Sequence, residues 1–263
     1  MERLIDPMRR TRPLKAILFD FDGTLSTLRC GWETVMAALM RELLGGPEHD
    51  PALERQIDAY IDASTGIQTI FQMQWLAGQV RARGHEPLDP WAYKAIYNDR
   101  LMQTVARRRD AVLRGDEPPE RYLVAGSRAF LEALSRQNVA LFVASGTDQA
   151  DVAAEAKILG LAGFFNEIAG ALPGQASCSK EALLRRLVQA HGLGGDELAV
   201  IGDGKVEIGI AREAGARSLG VASDEIRLSG VNLVKRKRLV AAGAQAIVGD
   251  FLEPDAILDW LLR

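Results

Sequence analysis

The sequence is poor in cysteine, because Cys30 and Cys178 are its only two among 263 residues. Two cysteines so far apart exclude a disulfide scaffold and a zinc site built on a C-x-x-C pair. The chain also has only three histidines, His49, His85 and His191, which are scattered along it and lie outside the motifs described below. The scarcity of thiols fits a reducing compartment, so we expect a cytoplasmic location.

An excess of charge of one sign and long apolar runs are also missing. Lys and Arg number 32 against 35 for Asp and Glu, a net charge of −3 that lacks the basic excess of nucleic-acid-binding proteins. No apolar run approaches the roughly 20 residues needed to cross a bilayer, and residues 1–15 lack the apolar segment of a signal peptide. We therefore expect neither a nucleic-acid nor a membrane partner, and either a monomer or a homodimer.

Short apolar segments alternate with amphipathic ones along most of the chain. Predicted strands, buried on both faces, are 16–19, 139–144, 198–201, 218–221 and 246–248. Helical spacing of apolar residues predicts helices over 127–137, 148–159, 180–190 and 206–214. This alternation is typical of an α/β fold with a doubly wound parallel sheet.

Residues 28–121 interrupt that alternation, because they contain no convincing strand. Amphipathic spacing predicts helices there over 32–44, 51–63, 67–83 and 91–113. A chain that leaves the sheet after the first strand and later rejoins it forms a discontinuous domain. We therefore predict a core made of residues 1–27 and 122–263, with an all-helical cap of residues 28–121 placed over the edge of the sheet.

Two carboxylates follow the first predicted strand, in the segment Phe-Asp-Phe-Asp-Gly-Thr-Leu at 19–25. Residues two apart in a strand point to the same side, so Asp20 and Asp22 would share one small volume while Phe21 turns to the core. Gly23 permits a tight turn and a close approach of backbone to a ligand. Ligands of open α/β sheets bind at the carboxyl ends of the strands, where this pair lies.

A second acidic pair, Asp203 and Glu207, follows the strand predicted at 198–201. If the two strands are neighbours, four carboxylates meet at one edge of the sheet, which is unfavourable unless they share a cation or one is protonated. Oxygen ligands without histidine or cysteine suit Mg²⁺ better than zinc. The sequence therefore predicts a magnesium site and favours a protonated Asp22.

Groups that could hold a phosphate occur at the ends of two other elements. Ser145 and Gly146 close the second predicted strand before a helix and offer a hydroxyl and backbone N–H groups. Lys180 begins a further helix and would place a positive charge near a phosphate oxygen. These residues are our candidates for phosphate binding.

Taken together, these pieces resemble the four motifs of the haloacid dehalogenase (HAD) superfamily. They are Asp-Phe-Asp-Gly-Thr-Leu at 20–25, Ser-Gly-Thr at 145–147, Lys180, and Gly-Asp-x-x-x-Glu at 202–207. The helical insertion resembles the C1 cap of that superfamily. The resemblance implies a Rossmann-like core and Mg²⁺-dependent phosphoryl transfer through an aspartyl-phosphate.

The resemblance also implies a role for each matching position. Asp20 would be the nucleophile and a metal ligand, and Asp22 the general acid and base, with its backbone carbonyl on the metal. Ser145, with Gly146 beside it, and Lys180 would hold the phosphoryl group, while Asp203 and Glu207 complete the metal site. Glu207 stands where Asp is commoner in the family, so direct and water-mediated contact with the metal both remain open, as does the role of Lys205.

Substrate choice is expected to belong to the cap. Candidate substrate-binding residues are Arg29, Gln68, Thr69, Gln72 and Lys94, and the glycine-containing segment 64–69 is a candidate specificity loop. The predicted function is hydrolysis of a small soluble phosphomonoester, such as a sugar phosphate or a phosphoglycolate-like acid.

Several alternatives stay open on the sequence. A phosphomutase or a phosphonate-cleaving enzyme would use the same core, and the second would need Lys94 for a Schiff base. A non-catalytic regulatory module could act through the basic run Lys-Arg-Lys-Arg at 235–238, which we otherwise expect to be the solvated face of a helix. Cys30 and Cys178 lie near motifs and could be reactive thiols or small buried residues.

Overall fold

The structure, a computed structural model, describes residues 1–5, 12–45, 50–176, 179–193 and 195–263. Its strands are β1 (Glu2–Arg3), β2 (Ala16–Phe19), β3 (Ala140–Asp148), β4 (Glu167–Ala171), β5 (Leu198–Gly202), β6 (Arg217–Val221) and β7 (Ala246–Val248). They form one sheet in the order β1-β7-β6-β5-β2-β3-β4. β1 pairs antiparallel with β7, and the other neighbours are parallel.

Four helices lie between β2 and the rest of the sheet: α1 (Trp32–Leu44), α2 (Pro51–Ala63), α3 (Thr69–Ala82) and α4 (Pro90–Leu113). Asp50 and Asp89 cap α2 and α4, each accepting a backbone hydrogen bond at 2.8 Å, and a proline begins each helix. An aspartate cap followed by proline satisfies free N–H groups and presets the backbone for a helix.

Six further helices pack against the sheet: α5 (Ser127–Ser135), α6 (Gln149–Ile158), α7 (Ser179–His191), α8 (Lys205–Glu213), α9 (Leu233–Ala242) and α10 (Pro254–Leu262). Glycines 160, 192 and 215 follow α6, α7 and α8 with positive φ, as expected for helix ends. Among the described residues, no helix is both long and apolar enough to cross a membrane.

The predicted α/β class is confirmed, and each predicted strand and helix is present within a few residues. Sequence reasoning missed β1 and β4, which lie at the two edges of the sheet. Edge strands are covered less completely, so their sequences lack the continuous apolar run that marks a central strand. β4 is half-exposed over Glu167, Ile168 and Ala169.

Alternate residues of the central strand pack into separate clusters on the two faces of the sheet. Ile17 and Phe19 join one cluster, in which Phe130 and Phe251 stack with ring centroids 4.8 Å apart. Leu18 joins the cluster on the opposite face. Burial on both faces explains why β2 consists of apolar residues alone.

The helices α1 to α4 bury a third cluster of their own, which includes Met36, Ile57, Leu76 and Tyr97. The chain enters and leaves this helical unit at neighbouring points. Ser26 forms an isolated bridge with Leu123, and Thr27 N–H donates to the carbonyl of Tyr122 at 2.9 Å. The two linkers of the predicted cap therefore run side by side.

Candidate active site

The strand register brings three motifs to one edge of the sheet. Phe19 of β2 is level with Val143 of β3 on one side and Ile201 of β5 on the other. Because the three strands are parallel, their carboxyl ends meet at the same edge. Asp20 therefore lies between the ends of β3 and β5, while Phe21 is fully buried in the core, as the strand pattern predicts.

Asp20 is buried and forms an ion pair with a lysine. Its Oδ1 lies 2.8 Å from Lys180 Nζ, its Oδ2 accepts from the Thr24 hydroxyl at 3.4 Å, and Lys180 also binds Glu207 Oε1. Burial raises the pKa of Asp20, and the Lys180 ammonium acts in the opposite sense. Burial acts to lower the pKa of Lys180, but the carboxylates of Asp20 and Glu207 outweigh it and raise that pKa, so Lys180 stays cationic.

Asp22 lies in a more mixed environment. Its Oδ2 accepts hydrogen bonds from the hydroxyls of Thr147 at 2.8 Å and Ser145 at 3.4 Å. Its Oδ1 is buried without a hydrogen-bond partner among the described residues, and Arg29 Nε lies 3.9 Å from it. Burial raises the pKa of Asp22, although Arg29 and Thr147 lower it. A raised pKa favours the protonated form of a carboxyl group, which is the form that a general acid needs.

Asp203 is held by a lysine that sequence reasoning did not assign to the site. Lys235 Nζ lies 2.7 Å from Asp203 Oδ2 and 2.5 Å from Glu225 Oε1. It also donates to Ser223 Oγ at 3.1 Å, and that hydroxyl donates to the carbonyl of Gly23 at 2.5 Å. A Cβ at position 23 would lie 2.3 Å from Asp203 Oδ2, and φ is +76°, so this close approach requires glycine.

The expectation of a solvated basic run at 235–238 is therefore wrong for Lys235, which is 7% exposed. Arg238 also has partners, since it binds Asp62 Oδ1 at 3.0 Å and Thr65 Oγ1 at 3.1 Å. Arg236 is partly exposed, and Lys237 is the exposed residue of the run. The run looked like a surface patch because the partners of Lys235 and Arg238 lie far away in the sequence.

The acidic residues fit a magnesium ion by their chemistry. They offer oxygen ligands only, and Glu207 Oε2 is buried with no hydrogen-bond partner in the described part of the chain. In this arrangement the described residues include no three acidic, histidine or cysteine side chains that converge as metal ligands. Two lysine ammonium groups lie between these carboxylates. Lys180 forms ion pairs with both Asp20 and Glu207, and Lys235 forms one with Asp203.

A pocket between the sheet edge and the four helices contains most of the predicted residues. Its lining includes the predicted residues Asp20, Asp22, Arg29, Thr69, Gln72, Lys94, Ser145, Gly146, Lys180 and Asp203. Gln68 and Glu207 do not line it. Gln68 is buried just before α3 with no hydrogen-bond partner for its Oε1 among the described residues, and Glu207 lies behind Lys180.

The two cap cations that line the pocket are both paired with carboxylates of the core. Arg29 donates to both oxygens of the fully buried Glu155, at 2.6 and 3.1 Å, and lies 3.2 Å from Asp151. Lys94 binds Asp148, whose other oxygen accepts from Asn98 Nδ2 at 3.1 Å. These contacts join the helical unit to α6 and to the end of β3.

The segment 64–69 lies over the site. Thr65, Gly66, Ile67 and Thr69 line the pocket. A Cβ on Gly146 would lie 3.0 Å from the carbonyl oxygen of Ile67, so the segment packs directly against the predicted phosphate-binding turn. The prediction that this segment belongs to the substrate pocket agrees with its position.

Three residues whose roles the sequence left open have different positions. Lys205 is partly exposed, with its Nζ 3.8 Å from Asp62 of α2. Burial raises the pKa of the Cys30 thiol, which lies 3.9 Å from the carbonyl of Glu225, and a raised pKa disfavours a reactive thiolate. His85 is exposed, while Cys178 and His49 lie outside the described residues.

Sequence reasoning missed some pocket residues for which a signal existed. Tyr97, Asn98 and Leu101 follow Lys94 at helical spacings of three, four and seven, so one face of α4 carries all four into the lining. Thr147 belongs to the second motif, next to the predicted residues Ser145 and Gly146, so its place at the same strand end was a signal for its contact with Asp22. Lys235 had no such signal.

Comparison with known proteins agrees with the site. The profile of the haloacid dehalogenase-like hydrolases matches residues 14–215. No curated protein matches the sequence significantly. The class defined by this sheet, its helical insertion and its acidic edge is a capped α/β hydrolase, and the chain belongs to the haloacid dehalogenase-like hydrolase family.

Solved structures share the fold over most of the chain. A predicted phosphatase from Clostridium acetobutylicum is 17% identical with a TM-score of 0.63, covering 94% of this chain and 100% of its own. A predicted phosphoglycolate phosphatase from Haemophilus somnus is 18% identical with a TM-score of 0.62, covering 94% and 99%. A β-phosphoglucomutase from Clostridium difficile is 16% identical with a TM-score of 0.58, covering 94% and 97%.

Proposed function

We propose that this protein is a Mg²⁺-dependent phosphatase that hydrolyses a small soluble phosphomonoester through an aspartyl-phosphate on Asp20. The observation that carries the proposal is the pairing at the sheet edge of two unlike carboxyl groups. Asp20 Oδ1 lies 2.8 Å from the ammonium of Lys180, while Asp22 Oδ2 accepts hydrogen bonds from the hydroxyls of Thr147 and Ser145. Burial raises the pKa of both carboxyl groups, so the proposed division of roles rests on these partners: the ammonium favours an ionised nucleophile at Asp20, and Asp22 is the candidate acid.

In the first step, a carboxylate oxygen of Asp20 attacks phosphorus and the bond from phosphorus to the leaving oxygen breaks. Asp22 gives its proton to that oxygen. In the second step, Asp22 takes a proton from water as the water attacks phosphorus, and the bond to Asp20 breaks to release inorganic phosphate. Ser145, Gly146 and Lys180 bind the oxygens of the transferring group and stabilise its charge.

Asp20, Asp203 and the backbone carbonyl of Asp22 would hold the Mg²⁺, and Glu207 would complete the site with its buried Oε2, which has no hydrogen-bond partner among the described residues. The ion would supply positive charge for the phosphate oxygens. Residues 28–121 would act as a cap that excludes water during the first step. The substrate would be a small phosphorylated metabolite, and the scarcity of cysteine favours an enzyme of the cytoplasm.

Replacing the nucleophile tests the proposal. We expect Asp20→Asn to lower kcat for an aryl phosphate by about 1,000-fold or more, because an amide oxygen cannot form the acyl phosphate. Asp116→Asn, an exposed residue paired only with Arg114 in the described contacts, serves as the matched control and should keep wild-type activity. Circular dichroism would confirm that both variants fold. Undiminished turnover by a folded Asp20→Asn protein would refute the mechanism.

The phosphonatase alternative depends on Lys94, the single lysine of residues 28–121. A Schiff base needs the Lys94 amine to reach a carbonyl carbon of the substrate, whereas its Nζ is held in an ion pair with Asp148. Borohydride trapping with a phosphonate aldehyde should therefore leave Lys94 unlabelled. The regulatory alternative loses its proposed surface, because Lys235 and Arg238 are engaged at the site and at the cap.

A further inference from the structure

The charges that line the pocket limit which leaving group a substrate can carry. The leaving group is the part of the substrate that would face the cap. This inference rests on the proposed function. Three cations line the pocket in the described part of the chain: Arg29, Lys94 and Lys180. Lys180 lies at the nucleophile, so Arg29 and Lys94 are the cations available to the leaving group.

Neither of those two cations is free to receive an anion. Arg29 is 7% exposed and binds Glu155 through two nitrogens, with Asp151 3.2 Å away. Lys94 is 8% exposed and forms an ion pair with Asp148. An anionic leaving group would have to displace Glu155 from Arg29 or Asp148 from Lys94. Displacing Glu155 is costly because that fully buried charge would be left unpaired, and displacing the partly exposed Asp148 would break its ion pair while leaving its negative charge beside the pocket.

Carboxylates also outnumber cations in the lining. Asp20, Asp22, Asp148, Asp203 and Glu225 line the pocket with the three cations. Because the phosphate is itself negative, its binding beside these carboxylates already requires one protonated carboxyl group and one divalent cation. A further negative charge on the leaving group would therefore face like charges in a partly desolvated space.

Uncharged hydrogen-bonding groups are present where the leaving group would lie. Tyr97 and Asn98 line the pocket from α4, and Thr69 and Gln72 line it from α3. Asn98 Nδ2 donates to Asp148 and Gln72 Nε2 to Ser64 in the described contacts, so their amide oxygens and the hydroxyls of Tyr97 and Thr69 are the groups offered to a ligand. Leu101 adds an apolar contact on the same face of α4. Such a surface suits hydroxyl groups on a short carbon chain or ring, which can both donate and accept.

We propose that the leaving group is an uncharged hydroxylated one, as in a polyol or sugar phosphate, and that the Lys94–Asp148 pair rejects esters carrying a carboxylate. Between the two substrate types left open by the sequence, the structure favours the sugar phosphate over the phosphoglycolate-like acid.

The test compares two esters that differ in one group, 2-hydroxyethyl phosphate and 2-phosphoglycolate, which carries a carboxylate in place of the hydroxymethyl group. We expect the wild-type protein to have a kcat/KM at least about tenfold higher for the hydroxyethyl ester, which corresponds to about 1.4 kcal/mol. Equal or faster turnover of phosphoglycolate would overturn the inference. If neither ester nor an aryl phosphate is hydrolysed, the proposed function fails and this inference fails with it.

A pair of variants assigns the preference to its cause. Asp148→Asn removes the partner charge of Lys94 and should shift the kcat/KM ratio toward phosphoglycolate by about tenfold or more. Asp148 makes no side-chain cap bond to α6, so the amide costs the helix no hydrogen bond of that kind. Asp148→Glu keeps the charge and should keep the wild-type preference. An unchanged ratio in a folded Asp148→Asn protein would overturn the role of the pair.

Discussion

At the scale of single residues, the site depends on giving two nearby aspartates different surroundings. Asp20 faces the ammonium of Lys180, whereas Asp22 faces hydroxyls and the more distant guanidinium of Arg29. Burial acts on both carboxyl groups, so the difference between them comes from their partners. The proposed division of roles between nucleophile and acid therefore rests on the ammonium at Asp20 and the hydroxyl groups at Asp22.

The hydroxyl of Thr147 affects the pKa of Asp22, the proposed acid. It donates to Asp22 Oδ2 at 2.8 Å, which stabilises the ionised form and lowers the pKa. Thr147→Val removes that hydrogen bond with little change in shape, so the pKa of Asp22 should rise. Because the protonated form is the active acid, the alkaline limb of kcat/KM should move to higher pH, by about 0.4 to 1 unit for a hydrogen bond of about 0.5–1.5 kcal/mol.

Steady-state kinetics with an aryl phosphate over a series of pH values would measure this shift. The same pH profile of the wild-type protein is the reference. An alkaline limb that moves to lower pH in Thr147→Val would contradict the assignment of Asp22 as the acid.

At the scale of elements, α9 is the helix that brings Lys235 to the active site. Its first turn is capped by Asn232, whose Oδ1 accepts from the backbone N–H groups of Val234 and Lys235 at 3.0 and 3.1 Å. The cap fixes the start of the helix and therefore the position from which Lys235 reaches Asp203 and Glu225. Burial acts to lower the pKa of Lys235, but those two carboxylates outweigh it and raise that pKa.

Removal of this lysine should destabilise the fold. Lys235→Met leaves Asp203 and Glu225 without their shared cation in a buried site, and we expect a loss of about 3–5 kcal/mol in the free energy of unfolding. Lys237→Met, two positions along the same helix and exposed, should change it by no more than about 0.5 kcal/mol. Urea unfolding of the two variants would measure the difference. Equal stabilities would show that Lys235 contributes nothing through its charge.

At the scale of the whole molecule, the helices α1 to α4 contact the core through polar groups around the pocket. On one side are the contacts of Arg29 and Lys94 described above. On the other, Asp62 of α2 lies 3.0 Å from Arg238 of α9 and 3.8 Å from Lys205 of α8. A junction held by ion pairs can separate at lower cost than an apolar one, which suits a cap that must admit substrate.

Severing the Asp62 contacts should shift the cap toward an open position. Since Asp62 is about half-exposed, with a relative accessibility of 48%, Asp62→Asn should cost no more than about 1 kcal/mol of stability. We expect KM to rise several-fold with a small change in kcat. Asp58→Asn, one turn earlier on α2 and exposed, is the control. A KM equal to that of the control would show that these ion pairs do not hold the cap.

Much of the fold and part of the site could be predicted from local patterns. The strands at 16–19 and 246–248 have the predicted bounds because burial on both faces marks them locally, and the helix at 51–63 has them because Asp50 caps it. The helix at 32–44 also has the predicted bounds. The edge strand β4 could not be predicted in this way, since three of its five residues remain partly exposed. Domain boundaries at 27 and 121 and the catalytic roles remain predictions.

The sequence by itself determined that carboxylates follow two strands and that a helical insertion separates the first strand from the second. Those features depend on periodicity and on neighbours a few residues apart. Only the tertiary structure decided which charges meet: Lys235 with Asp203, Lys94 with Asp148, and Arg29 with Glu155. The energy of a charge depends on its burial and its partners, and both are set by distant parts of the chain.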